Sequence, residues 1–197
     1  MAYIIETERL ILRNYRESDL DDYFDYISHP DVGPRLWGEP YKDKETALER
    51  LKLETQKPFQ FAITLKQNNK VIGSVEIHET KQEYYDYAKL SQNSKTIGFL
   101  LSPKYWGQGI MPEAVQAILY FCFNELKLDD VGIAHNEANF QSSRVQDKVG
   151  FKIMGKAPAH HEWIDGKLHN SIYRKMTKYD YENNNILQKF KCLLSIM

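Results

Sequence analysis

Apolar positions along the chain change their period several times, and each change marks an element. Leu10-Ile11-Leu12-Arg13-Asn14-Tyr15 predicts a strand, and Ser18 or Asp19 then caps a helix whose apolar members are Leu20, Tyr23, Phe24 and Ile27. His29-Pro30 ends that helix, and a Gly/Pro-punctuated loop over 31–41, carrying Trp37, leads to a second helix over 44–56 with Ala47, Leu48, Leu51 and Leu53. Segments 59–65 and 71–77 have strand length and composition and are joined by Lys66-Gln67-Asn68-Asn69-Lys70, which predicts an antiparallel pair. After a polar, tyrosine-bearing insert over 79–95, Ile97-Gly98-Phe99-Leu100-Leu101 reads as a short buried strand.

The clearest helix is 112–126, where Val115, Ile118, Leu119, Cys122, Phe123 and Leu126 recur at helical spacing behind Pro112 and Glu113 in a favourable first turn. A strand over 131–134, a helix over 140–149 ending at Gly150, and strands over 151–154 and 171–176 complete the core pattern. Helices at the front, antiparallel strands in the middle and alternating strands and helices behind predict one α/β or α+β domain around a central sheet, over 1–178. In the tail, 179–197, Asn183-Asn184-Asn185 precede Ile186, Leu187, Phe190, Leu193, Leu194 and Met197, the pattern of a capped amphipathic helix. That extension is expected to pack on its own domain or on a second subunit in a homodimer.

Composition narrows the partners. The 197 residues carry 26 Lys and Arg against 27 Asp and Glu, a net charge of −1, so no basic excess draws a nucleic acid to the surface. Cys122 and Cys192 are far apart and Cys122 lies in an apolar run, which suggests reduced thiols and no metal site. The start of the chain is charged too early for a secretory signal, and no apolar run approaches the roughly 20 residues that span a bilayer, so a cytoplasmic, membrane-free protein is expected.

The chemistry concentrates where strand 97–101 passes through Ser102-Pro103-Lys104-Tyr105-Trp106-Gly107-Gln108-Gly109-Ile110-Met111 into the long helix. N–H groups at a helix start have no partner within the helix and lie at the positive end of its dipole, while glycines let the backbone approach a pyrophosphate closely. Pro112 has no N–H, so the donors are those of Gly107, Gln108, Gly109, Ile110 and Met111. The spacing is neither a Walker loop nor the three-glycine dinucleotide fingerprint, and by itself it also fits a plain strand-to-helix turn that needs glycine only for its backbone angles.

Three motifs in order bring a family into view. The loop resembles the acyl-CoA loop of GNAT acetyltransferases. Glu6-Thr7-Glu8-Arg9-Leu10-Ile11-Leu12-Arg13 resembles the first strand of the branch that acetylates ribosomal-protein N-termini. Asn136-Glu137-Ala138-Asn139-Phe140-Gln141-Ser142 with Lys148-Val149-Gly150-Phe151 is similar to the family's Asn-x-x-Ser helix and its Lys-x-Gly-Phe ending. Trp106 and Met111 depart from the Gln/Arg and Gly/Ala usual at the two ends of the loop, with Met111 expected to narrow it. Gln146 stands where the superfamily often has a tyrosine acid.

The resemblance implies the GNAT fold, a mixed and mostly antiparallel sheet splayed in its middle with helices on both faces. It also implies acetyl-CoA as co-substrate and transfer of acetyl to a primary amine. The CoA-binding residues it marks are Phe99, Leu100, Leu101, Trp106, Gly107, Gln108, Gly109, Ile110, Met111, Asn139 and Ser142. A main-chain N–H near Leu100 or Leu101 would face the thioester oxygen. Catalysis falls to Ser142 as acid, Asn139 in orienting the donor, and Glu76 as base, with His78, His160 and His161 (ahead of Trp163) as other bases. Asn139 also suits a helix cap. The acid requirement is mild, because a thiol of pKa about 8.5 leaves readily, and a base is dispensable for an α-amine of pKa about 7.7–8.0. The Trp37 loop and the insert, with Glu79, Glu83 and Asp86, are expected either to wall the acceptor site or to be ordinary solvated loops. A protein N-terminal α-amine is the expected acceptor. A small amine (polyamine, aminoglycoside or amino acid) and a non-catalytic acyl-CoA-binding module are the other readings.

Overall fold

A computed structural model describes residues 3–32, 41–158, 166–190 and 192–196. In chain order the elements are β1 Tyr3–Glu6, β2 Leu10–Asn14, α1 Leu20–Ile27, α2 Lys44–Thr55, β3 Gln60–Leu65, β4 Val71–Glu79, β5 Ser94–Leu101, α3 Ile110–Asn124, β6 Asp130–Asn136, α4 Phe140–Val149, β7 Lys152–Ala157, β8 Ser171–Thr177, α5 Lys178–Glu182, α6 Asn185–Lys189 and β9 Leu193–Ile196. They fall into two compact units, one of 1–76, 99–114 and 191–197 and one of 77–98 and 115–190, so that β4, β5 and α3 each contribute to both.

In the first unit the strands run β9-β1-β2-β3-β4, every pair antiparallel, with registers such as Ile5↔Leu12 and Leu12↔Ile63. The end of β5 lies along β4, where the Ser102 N–H donates to the Ile72 carbonyl at 2.8 Å. The helices α1 and α2 close a core of Tyr15, Tyr23, Tyr26, Ile27, Ala47, Leu51, Ala62 and Val71, against which Leu100 packs. Three tyrosines in one core need partners for their hydroxyls: those of Tyr15 and Tyr26 bond each other at 2.5 Å, and Tyr15 also donates to the Gly73 carbonyl at 3.3 Å. Burial raises all three phenols well above their ordinary range, so they stay neutral donors. Asp19 does not cap α1 with its side chain, as the sequence suggests. Its two oxygens instead take a bidentate pair of bonds from Arg13, both at 2.8 Å.

The second unit orders its strands β7-β8-β6-β5, the last pair parallel and the others antiparallel. The apolar face of α3 is fully buried through Val115, Ile118, Leu119 and Cys122, and Phe123 stacks on Tyr181 with ring centroids 4.8 Å apart. Both cysteines are free thiols, and burial pushes Cys192 up to about 11. No helix among the described residues is long and apolar enough to cross a membrane.

The mixed, mostly antiparallel α/β arrangement agrees with the pattern read from the sequence, apart from differences in the extent of elements, of which four matter here. β1 is an extra strand at the front. β5 begins at Ser94, because Ser94 and Thr96 are buried in the ladder despite their polarity. α3 starts at Ile110, which places Pro112 inside its first turn. The tail is not one amphipathic helix: α5 and α6 are single short helices and β9 pairs with β1, from Tyr3↔Ile196 to Glu6↔Leu193.

Candidate active site

The first unit builds the glycine loop expected to bind an anion. A 3-10 turn at Pro103–Tyr105 follows β5, Trp106 is extended, and Gly107 and Gly109 both sit at φ 76°. Gln108, between them, is not left-handed. Two left-handed glycines one residue apart, immediately ahead of the first turn of α3, let successive N–H groups turn toward a common point, as in an anion nest. A Cβ on Gly107 would meet nothing within 4 Å, so the glycine is required by backbone angle, and the space beside it is open. Met111 does not narrow this loop. Its side chain is 3 % exposed, because the first turn of α3 directs it into the core.

Trp106 holds the loop to the strand: its indole N–H donates to the Leu101 carbonyl at 2.9 Å. Since the Ser102 N–H points to β4, the main-chain groups of Leu101 point away from β4, and strand alternation places the Leu101 N–H on the same side as the carbonyl that Trp106 binds. Of the two residues expected to offer an N–H to a thioester oxygen, Leu101 therefore has it on the open side, whereas Leu100 is turned to β4. The parallel ladder in the second unit runs only from Ser94↔Asp130 to Thr96↔Gly132, although β5 continues to Leu101 and β6 to Asn136.

The second unit holds the other residues expected at the donor site, at the start of α4. Asn139 is the N-cap, its side chain accepting from the Ser142 N–H at 3.2 Å, and Gly150 closes the helix in the left-handed region. One turn on, Gln146 is fully buried. Its amide nitrogen donates to the Ser142 hydroxyl oxygen at 2.9 Å, and its oxygen faces His135 Nδ1 at 3.0 Å. The row His135–Gln146–Ser142 has one consistent set of directions: Nδ1–H donates to the amide oxygen, the amide N–H donates to the hydroxyl, and the hydroxyl keeps its own hydrogen to give away. Burial, together with the Arg174 charge, lowers His135 to about 4, so the ring is neutral at cell pH. Arg174 is in turn held by Asp147 and by the Ser143 hydroxyl.

A pH effect on stability follows. The folded pKa lies below the ordinary 6.5, so between about 6.5 and about 4 the unfolded chain binds the extra proton and stability falls as the pH falls. Denaturant melts of wild type and His135→Asn across pH 4–7 are expected to differ in slope there, with the wild type losing more stability. Parallel curves would remove His135 as the titrating group.

The base candidates are less assembled. Glu76, opposite Gln60 on β4, is ion-paired with Lys57 at 3.2 Å, and Lys57 also holds Glu54 at 2.9 Å. His78 is exposed, with its ring over Gly98. His160, His161, Trp163 and Trp37 lie outside the described residues. The insert is not a plain polar loop. Tyr84–Ala88 form a helical turn whose rings pack on Tyr173, with Tyr84 edge-on at 5.1 Å and Tyr87 at 5.3 Å, beside Ala88, Leu90 and Ala157. Two of its carboxylates are engaged locally, Glu79 with Lys95 and Asp86 with the Gln82 amide.

The first unit thus brings together the glycine loop, Trp106 and the end of β5, and the second brings together Asn139, Ser142, Gln146 and His135. The sequence marked Gln146 only as a departure and passed over His135. The one signal available was a titratable residue inside the apolar stretch of β6.

Comparison with known proteins identifies the family. The family described as the acetyltransferase (GNAT) domain matches residues 9–152. The uncharacterized N-acetyltransferase YoaA of Bacillus subtilis is 24% identical over 186 residues, covering 91% of this chain and 94% of its own. Among solved structures, the GNAT-family acetyltransferase of Bacillus anthracis superposes with a TM-score of 0.76 at 23% identity, covering 89% of this chain and 99% of that one. The ribosomal-protein-S5-alanine acetyltransferase of Vibrio fischeri superposes at 0.65 and 22% identity, covering 90% and 97%. With the family matched over most of its length, the chain belongs to the GNAT acetyltransferases and is an N-acetyltransferase.

Proposed function

We propose that this enzyme transfers the acetyl group of acetyl-CoA to the α-amine of a protein N-terminus. Family membership implies acetyl-CoA, and the loop 106–111 fits its diphosphate through alternating left-handed glycines, open space at Gly107 and the first-turn N–H groups of α3. The Leu101 N–H polarises the thioester carbonyl. The neutral amine attacks the carbonyl carbon, the C–S bond breaks, the sulfur takes a proton from the Ser142 hydroxyl, and the new amide nitrogen sheds its proton to solvent, from which Ser142 is restored.

The observation that carries the choice of acceptor is the Lys57–Glu76 ion pair. A carboxylate already committed to a lysine is a weak base, which suits an acceptor that loses its proton unaided. An α-amine of pKa about 7.7–8.0 does so at cell pH, and a lysine side chain at about 10.4 does not. The ribosomal-protein-S5-alanine acetyltransferase among the structural neighbours points the same way. The insert supports it too, since its Glu79 and Asp86 already have partners of their own.

Thiol release from acetyl-CoA, measured against a no-enzyme control over N-terminal peptides, lysine peptides with blocked N-termini, polyamines and aminoglycosides, tests the proposal. Peptides with a free α-amine are expected to turn over at least tenfold faster, by kcat/KM, than the blocked lysine peptides. Faster release with a polyamine or an aminoglycoside would replace the acceptor while keeping the chemistry, and binding of acetyl-CoA without release for any acceptor would overturn the proposal.

A further inference from the structure

The Thr7-Glu8-Arg9 motif at the β1–β2 turn is not absorbed by the reading above, yet the structure ties it to the donor loop. Arg9 Nη1 donates to the Gln108 carbonyl at 3.0 Å, and Nη2 lies 3.5 Å from where a Cβ on Gly109 would stand. The same guanidinium donates through Nε to Glu113 Oε2 at 2.6 Å. Glu113, in the first turn of α3, also accepts the Arg9 main-chain N–H at 3.0 Å and the Thr7 hydroxyl at 2.5 Å. The Thr7 oxygen accepts in turn from the Leu10 N–H at 3.0 Å, which joins the assembly to the start of β2.

We infer that Arg9 is a positioning residue for the donor diphosphate, setting the direction of the Gln108–Gly109 peptide. This inference rests on the proposed binding of acetyl-CoA by loop 106–111. A carbonyl turned into the nest would repel a phosphate. In a trans peptide the C=O and the following N–H point opposite ways, so fastening the Gln108 carbonyl to Arg9 turns the Gly109 N–H away from Arg9 and toward the anion side. Glu113 neutralises Arg9, so the residue acts through this peptide and not as a counter-ion. A glycine-flanked peptide is otherwise free to flip, and the guanidinium fork is the group that can hold a carboxylate and a carbonyl at once. The arginine also makes up for a departure in the motif: the position where the superfamily carries Gln or Arg is Trp106, whose indole is committed to Leu101.

The test compares two donors, acetyl-CoA and S-acetylpantetheine, which keeps the thioester and the pantetheine arm but lacks the diphosphate. The readout is the ratio of kcat/KM for the first to kcat/KM for the second. In Arg9→Gln the ratio is expected to fall about tenfold, carried by a higher KM for acetyl-CoA, the size of effect given by about one charge-assisted hydrogen bond. Arg9→Lys keeps the charge beside Glu113 but cannot bridge to Gln108, so it folds normally and the ratio drops nearly as far. An unchanged ratio in Arg9→Lys overturns the inference, as does a proportional loss with both donors, which is the mark of a purely structural residue. A wild type that uses the two donors equally well would instead overturn the diphosphate reading of the loop itself.

Discussion

Gly73→Ala is expected to destabilise the protein by about 3 kcal/mol and to raise the KM for acetyl-CoA in whatever fraction folds. A Cβ at this position would stand 2.3 Å from the Leu100 carbonyl oxygen and 3.0 Å from the Leu101 Cα, both backbone atoms that no side-chain rotation can move aside. Gly73 is therefore the place where β4 lets β5 approach, and it lies just below the tyrosine core, its own carbonyl accepting from Tyr15. Room for the methyl comes only from pushing β5 outward at Leu100–Leu101. That shift moves the Leu101 carbonyl from Trp106 and with it the N–H assigned to the thioester. Urea melts measure the stability and donor kinetics the KM. A loss below about 1 kcal/mol, with KM unchanged, would mean that β5 is not held in place by its contact with β4, and the role given to Leu101 would fall with it.

The legibility of this site in the sequence varied with how local its determinants are. The helix Phe140–Val149 is found at the bounds the sequence predicts, because Asn139 and Gly150 signal its two ends within the helix itself. Gly107 and Gly109 ahead of a long apolar helix are visible as a strand-to-helix turn, but by themselves they do not separate a plain turn from an anion site; the two other motifs, in order along the chain, do that. The sequence pattern makes β5 shorter than it is, because Ser94 and Thr96 look like loop residues until the ladder to Asp130 and Gly132 buries them. The tail departs from the expected helix for a related reason: over so short a stretch the apolar residues around Leu193 fit a helical period and an extended one equally well, and pairing with β1, far away in sequence, settles it. The Arg9–Glu113 pair spans 104 positions and leaves no local trace, although the motif at its front end was visible. Sequence spacing makes Met111 look like an obstacle in the loop, because it shows neither the start of α3 nor the inward direction of its first turn.

Ser142→Ala is expected to lower kcat about 10²-fold, the low end for loss of a general acid, with the KM for acetyl-CoA changing less than twofold. The low end applies because the leaving thiol needs only modest help. What makes the serine a usable donor is its neighbour. The Gln146 amide already donates to the Ser142 oxygen, so the hydroxyl hydrogen is left over, and the buried neutral His135 fixes the amide in that orientation. Two substitutions separate this from simple support of the helix. Gln146→Glu keeps the shape and offers a carboxylate, which takes the Ser142 hydrogen for itself, so kcat should fall nearly as far as in Ser142→Ala while the helix remains folded. His135→Gln keeps a donor toward Gln146 and should retain most of the turnover. The double variant Ser142→Ala/Gln146→Glu should be no slower than Ser142→Ala alone, because both changes remove the same proton. Additive losses would show Gln146 acting elsewhere, and full activity in Ser142→Ala would pass the proton to water and leave this row of side chains as a cap on α4.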